Sequence, residues 1–249
     1  MACRYFMRLA YNGAPFHGWQ TQPNAVSVQE TLEKAMSMVM RMPMAITGAG
    51  RTDTGVNART MVAHFDVEEP IADTARLVRQ LNSIVGRDIA VYQIVRVGDE
   101  AHARFDATSR TYKYFIGLEK SPFSYPFCWT PPYKLDVEAM NRAAKRLFDY
   151  TDFTSFSKLH TDVKTNNCRI DHACWQMEGD KLVFTVTADR FLRNMVRAIV
   201  GTLVEVGRGK ITEQQFCEII EKKDRCSAGT SVPGNALFLW DITYPYPTF

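Results

Sequence analysis

The sequence predicts an α+β fold of two pseudo-symmetric halves, each a split β-α-β unit of the ferredoxin-like or RRM kind. Their strands are expected to join in a continuous mixed, mainly antiparallel sheet, with helices on one face and a central active-site cleft. Two observations carry this reading. Segments of strand period alternate with segments of helix period along the whole chain, and the β-α-β-α-β order of the first part is roughly repeated in the second. No low-complexity linker separates the parts, so the halves 1–105 and 106–249 are expected to form one unit.

From the N-terminus, Cys3 to Tyr11 alternates, with Tyr5, Met7, Leu9 and Tyr11 on one side and Arg4, Phe6, Arg8 and Ala10 on the other, as a strand requires. Ser27 opens a helix through an S-x-x-E capping box ending at Glu30, after which Val28, Leu32, Ala35, Met36 and Val39 share one face. Met61 to Val67 reads as a strand, Asp73 to Val85 as a helix stopped by Gly86, and Ile89 to Val97 as a β-branched strand. The second half gives a strand from Ser109 to Gly117, a helix from Asp136 to Phe148 and a hairpin turning at Gly179-Asp180. A helix from Phe191 to Val206, a short helix from Thr212 and a strand from Leu237 to Tyr244 complete it. The Pro-rich run Ser121 to Tyr133 reads as an ordered aromatic loop.

Composition excludes several classes. With 249 residues, 46% of them hydrophobic and 23% charged, the chain matches an ordinary globular protein and can fill a large core. No uncharged run approaches the roughly 18 residues of a membrane span, and the N-terminus lacks a cleavable signal, which points to the cytoplasm. Six cysteines without a CxxC pair or an HxE partner indicate free thiols and no metal. The net charge of +3 is too mild to establish nucleic-acid binding by itself, so the distribution of charge must decide.

The run Gly48-Ala49-Gly50-Arg51-Thr52-Asp53-Thr54-Gly55 holds three glycines and must be a loop that something approaches closely. It is not a nucleotide-binding fingerprint, because G-x-G-x-x-G fails at Asp53 and no G-K-[ST] follows. Its distinguishing group is Asp53, beside Arg51, a setting that suits a nucleophile or base. Alternation places Arg110, Tyr112, Tyr114 and Ile116 on one face of their strand, where a phenol and a guanidinium could hold a base and its phosphate. Arg190, Arg193 and Arg197 recur at i, i+3 and i+7 and are expected to form a basic ridge on one helix. Arg104, Lys113, Lys158, Lys164 and Arg169 alternate with Phe105, Phe153, Phe156 and Trp175, a pattern compatible with an RNA groove.

At these residues the sequence strongly resembles the tRNA pseudouridine synthase A family. The matching segments are YNGAPFHGWQTQP (Tyr11–Pro23), SVQETLEKAM (Ser27–Met36), GAGRTDTGVNA (Gly48–Ala58), HARFDATSRTYKY (His102–Tyr114), DFTSF (Asp152–Phe156), FLRNMVRAIVG (Phe191–Gly201) and PGNALFLWDITYP (Pro233–Pro245). The resemblance implies that Asp53 is the catalytic aspartate, Arg51 the loop arginine, Tyr112 the active-site tyrosine and Arg197 the helix arginine that pairs with the aspartate. It further implies a homodimer that acts on tRNA, isomerising uridine to pseudouridine in the anticodon stem-loop at tRNA positions 38, 39 and 40, with no cofactor and no catalytic metal. Tyr112, Arg104, Arg110, Lys113, Arg190 and Arg193 are the expected RNA contacts. Thr54, Asn57, Arg193-Asn194 and Ala236 depart from the residues usual in the family at those places. Two other readings remain open on the residues alone: a non-catalytic RNA-binding module, and a nucleoside hydrolase or glycosidase, for which a second acid in a recognisable motif is missing.

Overall fold

A computed structural model describes residues 3–158 and 165–249. Among them lie the strands and α-helices β1 (Cys3–Tyr11), α1 (Val28–Met40), β2 (Thr47–Gly48), β3 (Asn57–Val67), α2 (Thr74–Asn82), β4 (Ile89–Arg96), β5 (Ser109–Gly117), α3 (Val137–Lys145), β6 (Ile170–Glu178), β7 (Lys181–Ala188), α4 (Met195–Gly207), α5 (Glu213–Glu221) and β8 (Leu237–Thr243). The fold is α+β and mostly antiparallel. The chain divides into two compact units, Met1–Thr108 with Leu239–Phe249, and Ser109–Phe238. The division thus falls after residue 108, and most of β8 returns to the first unit.

In the first unit the strands run β4-β1-β3-β8, with β2 paired to β3. Tyr5, Met7, Leu9 and Tyr11 of β1 are buried, as the alternation requires, and Phe6 is buried as well. α1 buries Val28, Leu32, Ala35 and Met36, and Ser27 caps it by accepting from the Glu30 N–H at 3.2 Å. The Glu30 carboxylate accepts from Lys34 instead of reaching back to the cap. The reciprocal capping box is found at Thr212 and Gln215, which start α5. α2 is clamped to β4 by Asn82, whose amide donates to the Val91 carbonyl and accepts from the Val91 N–H, both at 2.8 Å.

In the second unit the order is β5-β7-β6, with β7 in the middle and the β6–β7 hairpin turning at Gly179, whose φ is +63°. The connectivity β5-α3-β6-β7-α4 is that of a split β-α-β unit, and the first unit runs in the same order, β1-α1-β2-β3-α2, with its antiparallel β2–β3 pair short and joined by a longer loop. α4 is buried on nearly every side, including Met195, Val196, Ala198, Ile199, Val200 and Leu203.

α4 begins at Met195 and not at Phe191, which corrects the expected basic ridge. Asn194 takes the left-handed conformation (φ 67°) and its side chain donates to Ser231 at 2.7 Å, so the chain turns there and residues 190–193 precede the helix. The i, i+3, i+7 spacing of Arg190, Arg193 and Arg197 therefore does not place them on one helical face, and only Arg197 is helical.

Candidate active site

The loop from Gly48 to Gly55 lies between β2 and β3, and the turn that follows β1 grips it. Trp19 donates its N–H to the Thr52 carbonyl (3.3 Å) and Gly55 donates to the Phe16 carbonyl (3.3 Å). The Tyr11 hydroxyl lies 2.8 Å from Thr52 Oγ1, and Gly13 N–H donates to Oδ1 of the buried Asn57 at 2.8 Å. Two glycines make this close approach possible. A Cβ on Gly13 would overlap the Val56 carbonyl, and one on Gly18, whose φ is +90°, would overlap the Thr52 carbonyl. On the other side of the loop, Ala49 N–H donates to the Val62 carbonyl at 2.8 Å, and a Cβ on Gly48 would lie 2.5 Å from the Trp19 ring.

This frame leaves Asp53 half-buried and Arg51 exposed, at neighbouring positions of a backbone fixed on both sides. The loop then closes through a bond from Val56 N–H to the Asp53 carbonyl at 3.1 Å. Gly50 differs from Gly13 and Gly18: it has ordinary backbone geometry and open space where a Cβ would stand. The sequence pointed to Asp53, but the residues that seat it are Tyr11, Gly13, Gly18, Trp19, Thr52 and Asn57. They lie in the segments YNGAPFHGW and GAGRTDTGVNA, so the resemblance held the signal, although spacing alone could not show that the two segments meet.

The remaining expected residues belong to the second unit, except Arg104. Tyr112 is half-buried on β5, with the Phe191 ring edge-on at 5.1 Å. Arg110 donates to the Asp189 carbonyl at 2.8 Å, while Asp189 Oδ1 accepts from Arg190 N–H at 2.7 Å, so β5 and the end of β7 bring Arg110 and Arg190 together. Arg197 on α4 donates through Nε to the Val232 carbonyl (2.8 Å), and Val232 N–H donates back to the Arg197 carbonyl (3.2 Å). That pairing depends on the close passage of the 229–232 segment over α4, since a Cβ on Gly201 would overlap the Thr230 carbonyl. Next to it the buried Tyr114 donates to the Pro233 carbonyl at 3.1 Å, and burial pushes its phenol pKa up.

Lys113 points to the opposite side of β5 from Tyr112 and is ion-paired with Glu178 at 2.6 Å. Arg193 is exposed, and its carbonyl accepts from Lys158 N–H (3.0 Å). In the first unit the exposed Arg104 lies over the Phe105 ring at 5.7 Å. The groove pattern needs correction: Phe153, Phe156 and Trp175 are core side chains, Arg169 is held by Asp171 at 2.7 Å, and Lys164 lies outside the described residues. The alternation of basic and aromatic residues there is the strand-and-core period of a folded domain, and only Phe105 of the four aromatics is exposed.

All six cysteines are free, and among the described residues no cluster of three His, Cys, Asp or Glu is placed to hold a metal. Nor is any described helix long and apolar enough to cross a membrane.

The sequence of this chain has known counterparts. Residues 143–245 match a family model described as tRNA pseudouridine synthase. The chain is similar over its whole length to proteins named tRNA pseudouridine synthase A. One from Parabacteroides distasonis is 63% identical over 246 residues, covering 99% of this chain and 98% of the relative. One from Bacteroides thetaiotaomicron is 57% identical, covering 99% and 92%. The Bacillus subtilis protein is 39% identical over 241 residues, covering 95% and 97%. The chain belongs to the tRNA pseudouridine synthase A family.

Proposed function

We propose that this chain isomerises uridine to pseudouridine in the anticodon stem-loop of tRNA, at positions 38, 39 and 40, with Asp53 as the catalytic carboxylate. One observation carries the reading: in a member of this family, Asp53 is half-exposed on a loop fixed from both sides, through Trp19 and Thr52 and through Ala49 and Val62. A carboxylate held so firmly is preorganised for chemistry at one sugar.

The reaction breaks the C1′–N1 bond, turns the uracil and joins C5 to C1′. All atoms are retained, so no co-substrate is required. Asp53 acts either by attacking C1′ or by removing the C2′ proton. The family resemblance assigns Arg51 and Arg197 as the cations that keep the carboxylate charged, and Tyr112 as the ring that stacks on the extruded base. Extrusion from a helical arm costs about a few kcal/mol, which contacts from Arg104, Arg110, Arg190 and Arg193 to phosphates offset. Lys113 contributes only where its pair with Glu178 opens. The chain works in the cytoplasm as a two-fold homodimer.

The decisive experiment compares pseudouridine maps of tRNA treated with the wild-type chain and with Asp53→Asn. Wild-type product at the anticodon arm and none from the variant, with tRNA affinity kept within a few-fold, is the expected result. Substantial turnover by Asp53→Asn would remove Asp53 from the chemistry, whereas tRNA binding without product from the wild type would favour the RNA-binding module. Sedimentation at micromolar concentration tests the dimer, and a monomer would count against it.

A further inference from the structure

We propose that Arg8, Arg59, Thr60 and Tyr92 form a second anion site on the first unit, which takes a backbone phosphate of the RNA substrate while Tyr92 stacks on the adjoining base. The choice of RNA as occupant rests on the tRNA reading above.

These four residues line a cavity of about 300 Å³. Arg8 comes from the middle of β1, Arg59 and Thr60 from the start of β3, and Tyr92 from β4, and these strands are neighbours in the order β4-β1-β3. The floor of the cavity is therefore a hydrogen-bonded ladder, which holds its groups rigidly. The Arg8 guanidinium is flanked by two rings, Tyr92 at 5.9 Å and Phe249 at 5.6 Å from their centroids. Its only side-chain hydrogen bond among the described residues is a long one, from Nη2 to Gln93 Oε1 at 3.4 Å. Its Nε is buried and has no partner among the described residues.

A buried, unpartnered N–H on a half-buried cation is costly, and an anionic oxygen is the acceptor that removes the cost most fully. Arg59 brings a second, exposed guanidinium to the same cavity, and no carboxylate lines it. Thr60 adds a hydroxyl donor. Tyr92 is 48% exposed and presents an aromatic ring beside the cations. Two guanidiniums, a hydroxyl and a ring match a phosphodiester with its base better than a small inorganic anion, which would leave the ring without a role. Arg59 follows Asp53 by six residues, a span of at most roughly 20 Å of chain, so one RNA strand can reach both.

The test uses an unmodified tRNA transcript, with retention on filters measured between roughly 50 and 200 mM salt. Arg59→Glu and Arg8→Gln should each flatten the slope of log affinity against log salt by about one unit. Both should raise KM by roughly tenfold, with the loss falling on KM and not on kcat. Tyr92→Ala should weaken binding by roughly tenfold and leave the slope alone, because stacking releases no counterion. Arg8 is partly buried and its variant can lose stability, so the exposed Arg59 carries the test. An unchanged slope and KM for Arg59→Glu would overturn the site. Equal weakening of tRNA and heparin by Arg59→Glu, with no effect of Tyr92→Ala, would also overturn it, leaving a non-specific basic patch. If the intact chain binds tRNA but forms no pseudouridine, the function proposed above fails while the slopes still decide the site.

Discussion

The Tyr11 hydroxyl and Thr52 Oγ1 lie 2.8 Å apart, both side chains are buried, and Thr52 immediately precedes Asp53. A buried hydroxyl pair fixes the χ angles of both partners and through them the direction in which the next residue leaves the loop. Tyr11 stands at the end of β1, so the pair ties the loop to the strand that pairs with both β3 and β4.

Tyr11→Phe removes one partner and leaves the Thr52 hydroxyl buried without it, at a cost of about 1–3 kcal/mol. A protein of this size should then melt several degrees lower, because about 1 kcal/mol corresponds to roughly 2–4 °C. Turnover should fall by roughly tenfold or more as Asp53 loses its fixed position. The double variant Tyr11→Phe/Thr52→Val should recover stability relative to Tyr11→Phe alone, since neither hydroxyl is then stranded. Calorimetry of the three variants measures this coupling, and strictly additive losses would mean that the pair contributes nothing of its own.

Gly18→Ala and Gly50→Ala separate glycines required by the fold from glycines required by a ligand. At Gly18 the φ of +90° and the neighbouring Thr52 carbonyl both oppose a side chain, so the alanine variant should be strongly destabilised or fail to accumulate. At Gly50 neither obstacle exists, and the alanine variant should melt at the wild-type temperature or slightly above it. If substrate occupies the open space over Gly50, the same variant should nevertheless lose turnover. A Gly50→Ala enzyme with full activity would show that the space is empty during the reaction.

A pH effect on stability follows from His64. The ring is buried and its Nδ1 accepts from Ala103 N–H at 3.2 Å. Burial, then the positive charge of Arg4 and the neighbouring His102, lowers its pKa to about 4, with Asp66 and Asp106 opposing weakly. In unfolded chain the ordinary value of 6.5 applies, so between about 6.5 and 4 the unfolded state binds a proton that the folded state refuses. Stability is thus fully present above that window and is lost as pH falls through it, by roughly 3 kcal/mol at most. Thermal melts at pH 7 and pH 5 should differ accordingly, and His64→Gln, which keeps an acceptor for Ala103, should flatten the difference. Equal pH dependence in the variant would assign the effect to other groups.

Legibility in the sequence followed the range of the interactions. β1, α1, the β6–β7 hairpin and β5 could be read because alternation, a Ser cap and a Gly-Asp turn are local. β3 starts at Asn57, four residues before the apolar run that marked it, because its first residues pair with the end of β1, a contact that sequence periodicity does not register. The start of α4 was misread since Leu192 and Met195 are both buried, and helical spacing continued through a left-handed Asn194 that no propensity forbids. Asp53 was visible as a lone acid among glycines. The cavity of Arg8, Arg59 and Tyr92 was not, because three adjacent strands assemble it.

Tyr112 offers a substitution that separates chemistry from packing. Once C5 has joined C1′, the base carries an extra proton at C5, and aromaticity returns only when some group removes it. A phenol near the base is a candidate for that removal, directly or through water. The Tyr112 ring meets the Phe191 ring edge-to-face at 5.1 Å, a contact that Tyr112→Phe retains in full. Tyr112→Phe should therefore keep its ring packing and its tRNA affinity, while tritium release from C5-labelled uridine should fall by roughly 10²-fold or more. Tyr112→Ala should lose affinity as well, through missing base stacking worth roughly 1–3 kcal/mol, and should loosen Phe191. Comparing the two variants by tritium release and by filter binding assigns each part of the side chain. Wild-type release by Tyr112→Phe would exclude the hydroxyl from proton removal and leave the ring with stacking alone.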